Sequence, residues 1–163
     1  MTVTPRDVTR PAGDPQVADL ATPVNQSGLV KAYLSILPAY RKGLSPTRRG
    51  LEIGLFHGFW LINPFAKLGP LRDTDIANLA GLFSTIGLVT ISSLAILLYG
   101  ASNPPQPTRT LTTPEPPSEV VNNPPAGWGG WAIGFLIGGV AGAVLGYFVV
   151  SNVEVIQGLI GLR

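Results

Sequence analysis

Apolar residues in this chain gather into three long runs, about 46–65, 76–100 and 128–151, separated by polar and proline-rich segments. The middle run is the plainest: Ile76 to Tyr99 carries no charged residue. At about 1.5 Å per residue in a helix, such a run crosses a hydrocarbon core of about 30 Å. The first run has a good helix start, with Ser45 as N-cap and Pro46 in the first turn, where a missing N–H does no harm. Pro64 is expected to disturb or end that helix. In the third run Gly130, Gly134, Gly138, Gly142 and Gly146 recur every four residues. A glycine ridge of this kind costs helix propensity, and is explained by close approach of another helix or a flat ligand. A smaller row, Ala77, Gly81 and Thr85, lies on the second run, where Ser92 and Ser93 can bond back to helix carbonyls or across to a neighbour.

Outside the three runs the pattern weakens. Residues 29–44 mix apolar and basic positions in a stretch too short to span. Ser27 can cap a short helix there, ended by Pro38 and lying in the membrane interface, though an ordered loop against partner subunits is an equal alternative. Residues 1–28 have no apolar core and read as an extended surface tail rather than a signal peptide. Residues 101–127 are proline-rich and without period, which predicts a semi-rigid connector rather than a PxxP ligand. The closing VEVIQGLIGLR is too short for a fourth span. The expected fold class is therefore an all-α integral membrane protein. It has three transmembrane helices (46–65, 76–100, 128–151) in one domain, 46–163, preceded by an arm, 1–45, with a short interfacial helix.

Composition sharpens this picture. Of 163 residues 45% are hydrophobic and only 12% charged, too little charge for the surface of a soluble domain of this size. There is no cysteine, which excludes structural disulfides, thiolate zinc and iron–sulfur clusters. Seven of the eleven Lys and Arg lie before residue 50. That bias speaks to topology and not to nucleic acid: it puts the N-terminus on the cytoplasmic side and the C-terminus on the other.

The first run also holds the candidate chemistry, one carboxylate, Glu52, and the only histidine, His57. Ionisable groups in a membrane span are costly and by default functional. At five residues apart they point about 140° apart and lie about 7.5 Å apart along the axis, so they do not chelate one ion. No nucleophile, base and oxyanion set is present, and no phosphate loop, so an enzyme is not expected. The other spans lack ionisable residues, which argues against a conduction path. Two readings remain level: axial ligation of single metal centres in flat macrocycles such as chlorophyll, whose hard magnesium accepts oxygen or nitrogen, or Glu52 paired with Arg48 and His57 bonded to a helix carbonyl.

The blocks PAYR, LSP, RRGLE, HG and LGPLRD, in the stretch PAYRKGLSPTRRGLEIGLFHGFWLINPFAKLGPLRD, closely resemble the photosystem I reaction-centre subunit XI family of cyanobacteria and chloroplasts. The resemblance covers most of the chain. It implies a non-catalytic thylakoid-membrane subunit with a cytoplasmic or stromal N-terminus and a lumenal C-terminus. Expected cofactors are antenna chlorophyll a, with Glu52 and His57 as axial magnesium ligands, and beta-carotene. Expected partners are the photosystem I core and small membrane subunits, membrane lipid, and copies of the chain in neighbouring monomers, a trimer being favoured over a tetramer or dimer. The resemblance also implies calcium at the LGPLRD turn, on the Pro70 carbonyl and the Asp73 carboxylate. Departures are Asn63 where the family often has glycine, a longer proline-rich loop, and the terminal Arg163. The alternative from another class is a pigment-free scaffold or anchor of a different membrane complex.

Overall fold

The computed structural model describes residues 9–11, 19–105, 117–159 and 161. The first residues of the tail, the middle of the proline-rich loop with Arg109, and the terminal Arg163 lie outside the described residues. In chain order the elements are strands β1 (Arg10–Pro11) and β2 (Leu20–Ala21), then helices α1 (Gly28–Ile36), α2 (Pro46–Leu68), α3 (Ala77–Ala101), α4 (Ser118–Asn122), α5 (Pro124–Ser151) and α6 (Val153–Leu159). The strands form a two-stranded antiparallel ladder with Arg10 opposite Ala21.

Local chemistry accounts for most helix ends. Ser27 caps α1 by accepting from the Val30 amide at 3.2 Å, and Leu37 turns extended just before Pro38, as sterics require. None of the α1 side chains is buried, and Leu29, Tyr33 and Ile36 are exposed. Ser45 caps α2 through the Arg48 amide at 3.3 Å, with Pro46 in its first turn. The expected stop at Pro64 does not occur: α2 continues to Leu68 and ends at Gly69, whose successor is Pro70. Pro64 faces outward, while Ile62 and Ala66 on either side of it are buried, so tertiary packing carries the helix past one lost hydrogen bond.

The expected extended connector over 101–127 is corrected in its second half. Residues 118–122 form α4, and α5 begins at Pro124 rather than Trp128. Asn123 caps α5 by accepting from the Ala126 amide, and the two prolines occupy first-turn positions where no intrahelical N–H is required. Val120 is buried, and Gly127 of α5 packs against the backbone of Glu119 and Val120. The short α6 is a further element that the periodicity did not predict.

Helices α3 and α5 are each long and apolar enough to cross a membrane, with mean hydropathies of 2.0 and 2.2 over their best windows. Most of those windows face outward, with Phe83, Ile91, Leu98, Ile133 and Phe148 exposed, which is the distribution of a helix meeting lipid or a partner. Helix α2 is not one of these two, since polar residues recur along its length at Arg48, Arg49, Glu52, His57, Asn63 and Lys67.

Between α2 and α5 the contact is backbone on backbone. Gly50, Gly54 and Gly58 of α2 lie against the carbonyls of Trp131, Phe135 and Gly139, while Gly134, Gly138 and Gly142 of α5 lie against those of Thr47, Leu51 and Leu55. Residue numbers rise together along the contact, so the two helices run parallel. Helix α3 runs against both: Gly81 meets Ala66, Val89 meets Gly139, and Gly100 meets Trp128. Its buried stripe is Gly81, Thr85, Val89 and Ser93. Thr85 and Ser93 donate to the carbonyls four residues earlier, both at 2.8 Å, so their hydroxyls are satisfied within the helix. The glycine ridge read from the sequence is thus an approach surface for a helix, and its partner carries a second ridge.

A methyl group at Gly58 would overlap the Gly139 carbonyl, whereas one at Gly87 of α3 meets nothing within 4 Å. Gly58→Ala should lower the thermal unfolding midpoint of the chain in detergent, at a cost of about 1–3 kcal/mol from overpacking. Gly87→Ala should leave it unchanged or stabilise by about 0.5–1 kcal/mol through helix propensity. Equal behaviour of the two variants would contradict the backbone contact.

Candidate functional site

The two ionisable groups singled out in the sequence both stand on α2, and the fold does not bring them together. His57 lies on the outer face and is exposed. Its Nδ1 is 2.8 Å from the carbonyl oxygen of Ile53, one turn earlier. A carbonyl only accepts, so Nδ1 carries the proton and donates. In the neutral ring Nε2 is then unprotonated and its lone pair is directed away from the helix. The edge of the imidazole meets the ring of Phe135 on α5, with centroids 5.5 Å apart and planes at 60°. Phe135 is buried, so it supports the imidazole from beneath. Trp60, one turn further along the same face, is also exposed, which leaves a broad apolar surface beside Nε2.

Glu52 is held differently. Its Oε1 accepts from Arg48 Nε at 3.1 Å, and its Oε2 accepts from Arg41 Nη2. Its side chain is partly exposed, so the carboxylate meets two guanidinium groups and still reaches the surface. The Arg48 contact is the i, i+4 pair expected from spacing. Arg41 had no such signal: it lies eleven residues away, and only the fold-back of residues 38–45 places it there. Arg49, the next residue after Arg48, is 3% exposed, and its Nη1 donates to the carbonyls of Pro38 and Ala39 at 2.8 and 3.4 Å. It fastens the loop to the first turn of α2.

Pro70 and Asp73 stand in the turn between α2 and α3, both exposed. Asp73 Oδ2 lies 3.4 Å from Arg72 Nε, and Arg72 also reaches back to the Gly69 carbonyl. Among the described residues no three His, Cys, Asp or Glu side chains are grouped to hold a metal ion. At the opposite end of α3, Tyr99, Trp128 and Trp131 form an aromatic cluster, with Trp128 stacked on Trp131 at 5.1 Å and edge-on to Tyr99 at 5.3 Å. Amphipathic rings at one level suit a membrane–water boundary.

Comparison with known proteins gives a consistent result. The family model described as Photosystem I reaction centre subunit XI matches residues 7–155. The photosystem I reaction center subunit XI of Nostoc punctiforme is 55% identical over 157 residues, covering 96% of this chain and 90% of its own length. The protein of the same name from Mastigocladus laminosus is 52% identical with the same coverage. That from Crocosphaera subtropica is 44% identical, covering 95% of this chain and 99% of its own.

The two arginine arrangements differ in worth. Partly exposed ion pairs contribute about 0.2–1 kcal/mol each, whereas the buried Arg49 satisfies carbonyls that water does not reach as easily. Arg49→Met should therefore raise amide exchange at Tyr40 and Arg41, whose amides bond to the Leu37 carbonyl, well beyond the rise caused by Glu52→Gln. Hydrogen exchange read by mass spectrometry over 38–44 checks this; a larger effect of Glu52→Gln would contradict it.

Proposed function

This chain belongs to the photosystem I reaction-centre subunit XI family, whose members are structural subunits and not enzymes, and from that premise we propose that it is a pigment-binding subunit of photosystem I that joins reaction centres. Its place is then the thylakoid membrane, against the photosystem I core.

In this reading α2, α3 and α5 all cross the membrane. Support comes from their alignment: α2 runs parallel to α5 with Thr47 beside Gly134 and Phe59 beside Gly146, so it occupies the same depth as an apolar helix of spanning length. At about 1.5 Å per residue α2 is about 34 Å long, enough for the hydrocarbon core. The basic residues before position 50 orient the N-terminus to the cytoplasm and the C-terminus to the lumen.

The observation that carries the pigment reading is the His57 tautomer. The helix-carbonyl bond and metal ligation, which the sequence left as rivals, are compatible, because the first presents Nε2 for the second. His57 holds a chlorophyll magnesium through Nε2, with the exposed apolar face around Trp60 against the macrocycle. Glu52 serves a second chlorophyll through a lone pair not taken by Arg41 or Arg48, and the arginines fix the carboxylate's orientation. The chlorophylls supply light absorption and excitation transfer; the protein supplies distance, orientation and dielectric. Beta-carotene packs on the outward apolar faces of the spans. Copies of the subunit in neighbouring monomers meet across those faces, with a trimer favoured over a tetramer or dimer. Calcium at Pro70 and Asp73 requires oxygen ligands from a neighbouring chain, since calcium takes six to eight and this turn offers two.

The double ion pair of Glu52 favours one different reading, a pigment-free membrane anchor in which that carboxylate is purely structural. His57→Leu separates them. The purified complex should lose one chlorophyll for each copy of the chain, with α2 intact; an unchanged pigment count would overturn ligation by His57. Removal of the whole subunit should leave photochemically active monomeric photosystem I on native gels. Retention of the native oligomer would overturn the assembly role.

A further inference from the structure

At the foot of α2 lies a cavity of about 280 Å³, lined by none of Arg41, Arg48, Glu52 and His57. Tyr40, Lys42, Arg49, Ser118 and Glu119 contribute to its wall. It forms where the loop after α1 meets the segment leading into α4, two parts of the chain far apart in sequence. Arg49 is 3% exposed and its hydrogen bonds run through Nη1 to the Pro38 and Ala39 carbonyls. Its Nε is buried and has no hydrogen-bond partner among the described residues. A charged donor left without an acceptor is a costly arrangement, and nothing in the α2–α5 packing requires it.

From this geometry we infer that the cavity is a binding site for a tetrahedral oxyanion, of the phosphate or sulfonate class. Arg49 lines the wall and supplies one cation, whose guanidinium fork is of the kind that takes two oxygens of such an anion in parallel. Lys42 makes no ion pair among the described residues and supplies a second cation. Tyr40 and Ser118 in the same wall carry hydroxyls that add neutral donors, and several donor groups around one cavity suit the several oxygens of a tetrahedral anion. Glu119 opposes this, so the described residues of the wall carry one net positive charge. A water occupies a share of about 30 Å³, so the cavity has room for the anion together with an ester substituent.

The site lies beside the first turns of α2 and α5, where Pro46 stands next to Gly130, and at the end of the bundle that carries the Trp128 cluster. That is the boundary level at which an anionic lipid presents its headgroup, and equally a level that free phosphate in the aqueous phase can reach. The chemistry is shared by both sources. It does not rest on the pigment reading, since neither Glu52 nor His57 lines the cavity.

The test uses the intact purified photosystem complex carrying this chain, delipidated in detergent. Equilibrium dialysis would measure binding of two probes, radiolabelled inorganic phosphate and a short-chain phosphatidylglycerol. Complexes carrying Lys42→Gln, Arg49→Lys or Glu119→Gln would be compared with the wild type. One equivalent per copy of the chain should be lost or weakened at least about tenfold in Lys42→Gln and Arg49→Lys, the scale of one charged hydrogen bond. Glu119→Gln should tighten the same equivalent by removing like-charge repulsion. Loss seen only with the lipid assigns the site to a headgroup; loss seen with phosphate as well assigns it to the free ion. If Arg49→Lys prevents assembly, Lys42→Gln decides alone, because that side chain is exposed and bonds no backbone carbonyl among the described residues. Unchanged binding of both probes in Lys42→Gln, or weaker binding in Glu119→Gln, would overturn the inference. Pigment content, which the proposal predicts to stay constant in all three, separates its failure from that of the chlorophyll assignment.

Discussion

The approach of the α2 and α5 backbones is the contact on which the rest of this structure depends. In lipid, two helices gain nothing from hiding apolar surface from each other, because hydrocarbon is as good a solvent as leucine. Association then rests on dispersion between close-packed atoms and on weak Cα–H···O contacts of about 0.5–1 kcal/mol each. Both need short distances, which only glycine allows. Interlocking ridges, Gly50, Gly54 and Gly58 against Gly134, Gly138 and Gly142, bring each helix onto the other's carbonyls. The fully buried side chains are accordingly few, with Ile62, Thr85 and Val89 the largest.

That contact decides where everything else points. With glycine filling the inner faces, the large apolar side chains stand outside, as at Trp60, Phe83, Ile91 and Phe148. Such a surface suits flat hydrophobic ligands and neighbouring subunits better than water. The same contact fixes the rotation of α2 about its axis. His57 cannot turn inward, and Phe135, held in the seam, supports its ring from below. The Ile53 carbonyl holds the imidazole in one direction while leaving its outward face open.

The basic residues before α2 divide the work at its start. Arg41 and Arg48 meet Glu52 from two sides, and Arg49 turns away to bind the carbonyls of the loop. These contacts fasten the loop after α1 to the first turns of α2.

Much of this was legible in the sequence, because a helix in a membrane obeys local rules. Uncharged length reveals a spanning helix, and the ranges expected for α3 and α5 differ from those observed only at their ends. Ser27 and Ser45 act as caps through their own backbone, and five glycines at four-residue spacing signal a close approach whatever the partner. Glu52 and His57 stand out because charge is rare in such a run, and their angular separation follows from helix geometry alone. Other features depend on what lies across the interface, which periodicity does not contain. The ridge at Gly50, Gly54 and Gly58 was present in the letters, yet its meaning came only with α5 opposite it. Pro64 reads as a stop and is overridden by the packing of Ile62 and Ala66, and the prolines that open α5 read as a connector until Asn123 is seen to cap a helix. Arg41 and Arg49 carry the same charge within eight residues of each other. The fold alone sends one to a carboxylate and the other to the Pro38 and Ala39 carbonyls, because the loop between α1 and α2 folds back over a helix whose inner face is already committed to α5.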